Sequence, residues 1–252
     1  MTAVLGIDLA SARWTFNGSA IVRFHAESRS FTRVVPGAIA WPDAGTLLTP
    51  QALAGVIHAF VVREDVRAVA LDGPHAWRHP HTAADAPGVG RRCEHLCRTQ
   101  GKTGVYPTTY PSNQFAWIDF CVQVCDALLA HPGVRMADVP AVETCPTGDG
   151  YVVLECFPTS LWRASGLTPL PAKGKTPDVQ AYYEALAAAY ALPPAQVASH
   201  DDLQAVVAAL AGVGAIGGPV QALPRGEACW MAQHADGPRR VEGFIWNAAP
   251  IA

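Results

Sequence analysis

Four carboxylates stand where short apolar runs end or a helical run begins. Asp8 closes Val4-Leu5-Gly6-Ile7, Asp72 closes Val66-Arg67-Ala68-Val69-Ala70-Leu71 before Gly73-Pro74, Glu155 comes late in Tyr151-Val152-Val153-Leu154, and Asp201 follows Ser199-His200 at the head of an apolar helix pattern. An aspartate within a buried run is costly unless it is paired or bound to a cation. Several brought to one place repel one another, and a divalent cation is the economical remedy. Oxygen ligands without converging thiolates favour Mg²⁺ or Mn²⁺ over zinc, and Mg²⁺ characteristically joins protein carboxylates to substrate phosphate oxygens. Two such ions roughly 3.5–4 Å apart serve an in-line displacement at phosphorus. The chemistry expected is phosphodiester hydrolysis, with Asp8, Asp72 and Asp201 as ligands of two Mg²⁺ or Mn²⁺ ions and Glu155 as a ligand or water-orienting group.

Each acid also has a plainer use. Asp8 can cap the Ala10-Ser11-Ala12 turn, Asp72 can form a turn with Gly73-Pro74, Asp201 sits well at any helix start, and Glu155 can be the buried partner of an arginine such as Arg92. The basic candidates divide similarly. Arg91 and Arg92 follow Gly88-Val89-Gly90, and Lys173 and Lys175 flank Gly174, so both pairs suit either substrate phosphate or a solvated chain end. Cys93/Cys97 and Cys121/Cys125 share a spacing that zinc sites use, although small buried cysteines on helix faces are the commoner case.

The elements that must position these groups are legible in outline. Three strand-like runs within residues 4–41 form a meander, Thr49-Pro50 opens a helix with Leu53, Val56, Ile57, Phe60 and Val61 at helical spacing, and residues 66–72 form a strand parallel to the first. Residues 75–150 read as an insertion with helical stretches at 91–100 and 112–130. A third buried strand starts at Tyr151 after Gly148-Asp149-Gly150, and helices follow at 159–165, 178–191 and 201–211, the last passing into a loop. This predicts an α/β domain spanning 1–252: a mixed five-stranded sheet flanked by helices. Ligands of such sheets bind at the carboxyl ends of the strands, where Asp8, Asp72 and Glu155 stand.

The 252 residues carry a net charge of −3 and 15% charged residues, against roughly 25% in an average domain, so no global basic field holds nucleic acid. Any phosphate contact must be local. Seven cysteines, an odd number, argue against a disulfide framework, and no apolar run suits a membrane span. The chain enters its first strand without a basic or long apolar leader, which makes the cytoplasm the expected location.

In order from Gly6 to about Leu210, the segments GIDLA, LDGP, RRCEHLCRTQGKTGVYP, ECFPTSLW, AKGK and SHDDLQAVVAAL resemble an uncharacterised family of predicted nucleases with a ribonuclease H-like fold. The resemblance implies that fold and a metal-dependent nuclease acting on nucleic acid or another phosphoester. It matches Asp8, Asp72 and Asp201 to the family's strand and closing-helix acids, and Glu155 to its recurrent glutamate. Arg92 and Glu94, with Lys173 and Lys175, fall at positions the family fills with those residue types. Two departures stand out. Gln204 replaces a second helix aspartate, and GPHAWRHPH after Asp72 brings in His75, His79 and His81 as extra ligands or a polar loop. Two rivals keep the fold: an actin-like ATPase or phosphoryl-transfer protein, and a non-catalytic ligand-binding protein, for which Gln204 is the best support.

Overall fold

The computed structural model describes residues 1–81, 89–138, 150–175 and 178–251; Gly88 and the Gly148-Asp149 turn signal lie outside them. Strands β1 (Thr2–Asp8), β2 (Gly18–His25) and β3 (Ser30–Pro36) form the meander, α1 (Pro50–Glu64) crosses over, and β4 (Val66–Asp72) returns parallel to β1. Thr49 caps α1 by accepting the Ala52 N–H, with Pro50 at its first turn. Next come α2 (Arg92–Cys97), the ribbon β5 (Lys102–Thr103) and β6 (Thr109–Tyr110), α3 (Phe115–Leu129) and β7 (Val134–Met136). The chain continues through β8 (Tyr151–Cys156), α4 (Pro158–Ala164), α5 (Val179–Tyr190) and α6 (His200–Ala215). It closes with β9 (Gln221–Gly226), the ribbon β10 (Trp230–Ala232) and β11 (Arg239–Val241), and β12 (Phe244–Ala249). Among the described residues no helix is long and apolar enough to cross a membrane.

The main sheet runs β3-β2-β1-β4-β8-β12-β9, with β7 on the first half of β8. From β3 to β8 it is the expected five-stranded mixed sheet, with β2 alone antiparallel. The whole sheet has eight strands, however, because β12, β9 and β7 widen it beyond β8. Pro224 disguises β9, and an edge is where a strand tolerates proline.

Period-2 alternation sorts the side chains between two layers. Ala3, Leu5 and Ile7 of β1, with Val69 and Leu71 of β4, pack against Leu53 and Ile57 of α1 and Cys121 and Val124 of α3. Val4, Ala68 and Ala70 face the other way, onto Leu203, Val207 and Leu210 of α6. Asp8 and Asp72 continue this second set and therefore point to the α6 side.

Glycines let α6 approach the sheet closely. A Cβ on Gly6 would collide with the Ala205 carbonyl, and one on Gly18 would collide with the Asp201 carbonyl. We expect Gly6→Ala to lower the melting temperature, because overpacking typically costs about 1–3 kcal/mol and the obstacle is helix backbone that cannot swing away. Gly55→Ala, on the exposed face of α1 with nothing within 4 Å, is the control and should stabilise slightly. Equal melting temperatures for the two variants would contradict this packing.

Candidate metal centre

Asp8 and Asp72 are register partners at the carboxyl ends of neighbouring parallel strands. The start of α6 arrives at the same edge and is fixed there by two residues. Ser199 caps the helix by accepting the Asp202 N–H at 3.0 Å, and its hydroxyl donates to Asp202 Oδ2 at 2.7 Å. Asp202 Oδ1 accepts the Ser19 N–H of β2 at 3.1 Å. Asp202 thus fastens helix to sheet, which leaves its neighbours His200 and Asp201 at the acidic edge. Ligand atoms of Asp8, His200 and Asp201 lie within 4.8 Å of one another, the one such group of three among the described residues.

His200 was legible in the sequence only as part of a helix start, and it is the main addition. A carbonyl can only accept, so the contact of Nε2 with Pro171 O at 2.9 Å places the ring proton on Nε2. Nδ1 is buried, has no hydrogen-bond partner, and lies 3.5 Å from Asp201 Oδ1. This nitrogen stands at the carboxylate edge without a hydrogen bond of its own, where it can serve as a metal ligand. Metal-ligating histidines characteristically anchor their second nitrogen on such an acceptor. The donor set fits a divalent ion: two carboxylates suit Mg²⁺ or Mn²⁺, and the imidazole departs from the expected oxygen-only character towards later transition ions.

Charge at the edge is under tension. Burial, then Asp72 and Asp201, push Asp8 well above the usual carboxylate range, with Lys173 opposing. Burial and the Glu155 charge raise Asp72 to about 7, opposed by His200. Asp201 is held low: burial would raise it, but His200 and Lys173 outweigh that. The Lys173 ammonium touches Asp201 Oδ2 and sits 5.3 Å from the centre of the Phe16 ring. A cation of the chain's own thus already rests against the cluster.

Several expected roles are corrected. Cys156, not Glu155, is the register partner of Asp72, so Glu155 projects towards the opposite face. There it is consumed by Arg91, through paired contacts of 2.7 and 2.8 Å, and by the His75 N–H at 3.0 Å and Nδ1 at 2.7 Å. Burial would raise Glu155, but Arg91 and His75 more than offset it and hold it at about 2. It is a structural anion, with three donors on Oε2 and Arg91 on Oε1. Arg91 is likewise no phosphate contact: it is fully buried between Glu94 and Glu155. The arginine paired with Glu155 is Arg91, whereas the Arg92 side chain is exposed.

Lys175 is exposed beside Lys173. Gln204 is buried and accepts the Trp162 indole N–H at 3.2 Å, so a neutral hydrogen bond stands where the family pattern has an acid. The two cysteine pairs enter separate clusters, Cys93 and Cys97 with Ile245 and Cys121 and Cys125 in the α1–α3 layer, so they form no joint zinc site. His75 faces Glu155, and His79 makes tilted ring contacts with His81 and Trp230. None of the three joins the ligand group.

A cavity of about 500 Å³ adjoins the edge, and Asp72, His200, Gln204, Thr99, Gln100 and Arg163 are among the residues that line it. The order β3-β2-β1-β4-β8, with β2 alone antiparallel among these five, and the acids at the carboxyl edge make the mixed α/β arrangement of a ribonuclease H-like fold. Among solved structures, the chain is similar to RuvC from Thermus thermophilus, at 16% identity and a TM-score of 0.39, over 86% of this chain and 97% of that one. No protein-family model matches the chain, and a search of curated proteins gives no match.

Proposed function

We propose that the chain is a divalent-metal-dependent phosphodiesterase acting on nucleic acid, with Asp8, His200 and Asp201 holding one ion and Asp72 beside them serving a second. The observation that carries this reading is the buried Nδ1 of His200, without a hydrogen-bond partner among the described residues and 3.5 Å from Asp201 Oδ1, in one group with Asp8. Bound there, Mn²⁺ or Mg²⁺ supplies an activated water and charge stabilisation at phosphorus. The chain's own part is to hold the ligands rigid through Ser199, Asp202 and Pro171, and to admit the phosphoester through the adjoining cavity. Lys173, the exposed cation at the edge, is the residue placed to meet a phosphate oxygen, with Lys175 and Arg92 as outer contacts.

Mn²⁺ titration of the metal-free chain, followed by calorimetry or electron paramagnetic resonance, is expected to show binding that His200→Ala weakens by about 10–100-fold or more, the range set by loss of outer-shell partners of a metal. Mn²⁺-dependent cleavage of labelled single- and double-stranded oligonucleotides should fall with it. Unchanged Mn²⁺ binding in His200→Ala would remove the site as drawn. A second reading has its own support, since Lys173 already neutralises Asp201 and Gln204 is satisfied by Trp162. A ligand-binding protein without hydrolytic activity would show neither Mn²⁺ binding nor cleavage at this edge, and an ATP-using one would turn over ATP instead of oligonucleotides.

A further inference from the structure

A second cleft of about 280 Å³ lies beyond the cavity at the acidic edge, and Arg163 lines both. Three arginines from three elements surround it: Arg98 at the end of α2, Arg163 in the last turn of α4 and Arg225 on β9. All three are exposed, and none of their guanidinium groups makes an ion pair or a hydrogen bond with another of the described residues. Three guanidinium groups rarely gather without a carboxylate, because their mutual repulsion is uncompensated. In a chain of net charge −3 such a gathering calls for an external anion.

The cleft is built, not a chance meeting of surface side chains. Leu223 and Arg225 alternate onto one face of β9, and Asn247 is the register partner of Leu223 on β12. Asn247 is buried. Its amide oxygen meets the Ser160 hydroxyl of α4, and its Nδ2 donates to Cys97 Sγ of α2 at 3.6 Å. This polar floor ties β12, α4 and α2 together; Arg98 and Arg163 stand at the ends of α2 and α4, and Arg225 comes from β9, paired with β12. Arg98 takes a left-handed conformation, with its N–H donating to the Glu94 and His95 carbonyls, which closes α2 beside the cleft.

We propose that this cleft binds a phosphate group of the substrate, while the phosphoester to be cleaved lies at the acidic edge. Guanidinium forks match phosphate oxygens bidentately, and arginines contributed by three elements suit a dianionic or diester phosphate better than a single carboxylate. Arg163 belongs to both cavities and would hand the backbone from one to the other. The identity of the substrate as a nucleic acid rests on the reading above, but the affinity for phosphate does not.

The test is binding of the full-length chain, without divalent metal and at several salt concentrations, to one single-stranded oligonucleotide with and without a 5′-phosphate, and to inorganic phosphate. Arg98→Gln/Arg163→Gln/Arg225→Gln is expected to bind the oligonucleotide at least tenfold more weakly. Its salt dependence should be shallower by about 0.7 in log–log slope for each phosphate that the variant no longer neutralises. Mn²⁺ affinity should stay as in the parent, and the melting temperature should not fall. Arg163→Lys/Arg225→Lys keeps the charge but not the forks and should bind between the parent and the triple variant with the parental salt slope, which separates loss of the site from loss of the fold. If the loss appears only with the 5′-phosphorylated strand, the ligand is a terminal monoester; if it appears with both strands, it is an internal diester. A triple variant with parental affinity and parental salt slope for all three probes overturns the proposal. Loss of phosphate binding in a chain that neither binds Mn²⁺ nor cleaves DNA or RNA leaves the cleft standing and removes the nuclease reading.

Discussion

Asp8→Asn is expected to abolish Mn²⁺-dependent cleavage and, in the same chain without metal, to raise the melting temperature. The two effects have one cause. Asp8 lies in register with Asp72 and beside Asp201, and burial together with these like charges opposes its ionisation. Asparagine keeps the shape and removes a charge that only a cation compensates. Relief of about 1 kcal/mol would raise the melting temperature of a domain this size by about 2–4 °C. Activity should fall by more than about 100-fold, beyond what loss of an outer-shell partner of a metal usually costs. Metal reverses the order of stability: an ion at about 100 times its Kd adds roughly 2.7 kcal/mol to the parent, and the variant should gain little of that. Thermal melts with and without saturating Mn²⁺, beside a cleavage assay, read both effects. Mn²⁺-dependent stabilisation of Asp8→Asn equal to that of the parent would show that the carboxylates serve something other than metal.

The sequence was informative about strands and less so about which way their ends point. Asp8 and Asp72 were legible because each closes an apolar run on either side of a clear helix, and parallel pairing then forces the two ends together. Glu155 obeys the same local rule and still goes elsewhere. One residue of parity decides: Cys156 occupies the position opposite Asp72, and Glu155 turns to Arg91 and His75. Counting alternation back from Leu154, which packs on the α6 side, would have found this. His200 was hidden by an equally good local explanation, since Ser-His-Asp-Asp is a sound helix start. Its role depends on Pro171, 29 residues upstream, a contact that no local pattern encodes. The three arginines of the second cleft come from residues 98, 163 and 225, whose meeting depends on strands β9 and β12, which no alternation in the sequence announces.

Arg91→Met should be among the most destabilising single substitutions in the chain. The Arg91 guanidinium is fully buried and donates to both oxygens of Glu155 at 2.8 and 2.7 Å, to Glu94 Oε1 at 3.2 and 3.0 Å, and to the Glu242 carbonyl at 3.3 Å. Its removal strands two buried carboxylates, and breaking a buried pair typically costs about 3–5 kcal/mol. A fall in melting temperature of roughly 6–20 °C follows from the scale for domains of this size. Arg91→Met/Glu155→Gln should recover part of it, because the amide can be buried where the lone carboxylate cannot. The same cluster sets a pH dependence. Glu155 sits at about 2 in the folded chain, below its ordinary value near 4.3, so its contribution is fully present above about pH 4.5 and is lost as pH falls towards 2. Glu94, raised by burial despite Arg91 and Thr103, works in the opposite direction, losing stability as pH rises through its own titration. Acid denaturation of Glu155→Gln should therefore be shallower between pH 4.5 and 2 than that of the parent, while Glu94→Gln should leave that limb steep. If Glu155→Gln instead unfolds along the parental acid curve, the Arg91–Glu155 pair is not what holds this side of the pocket closed.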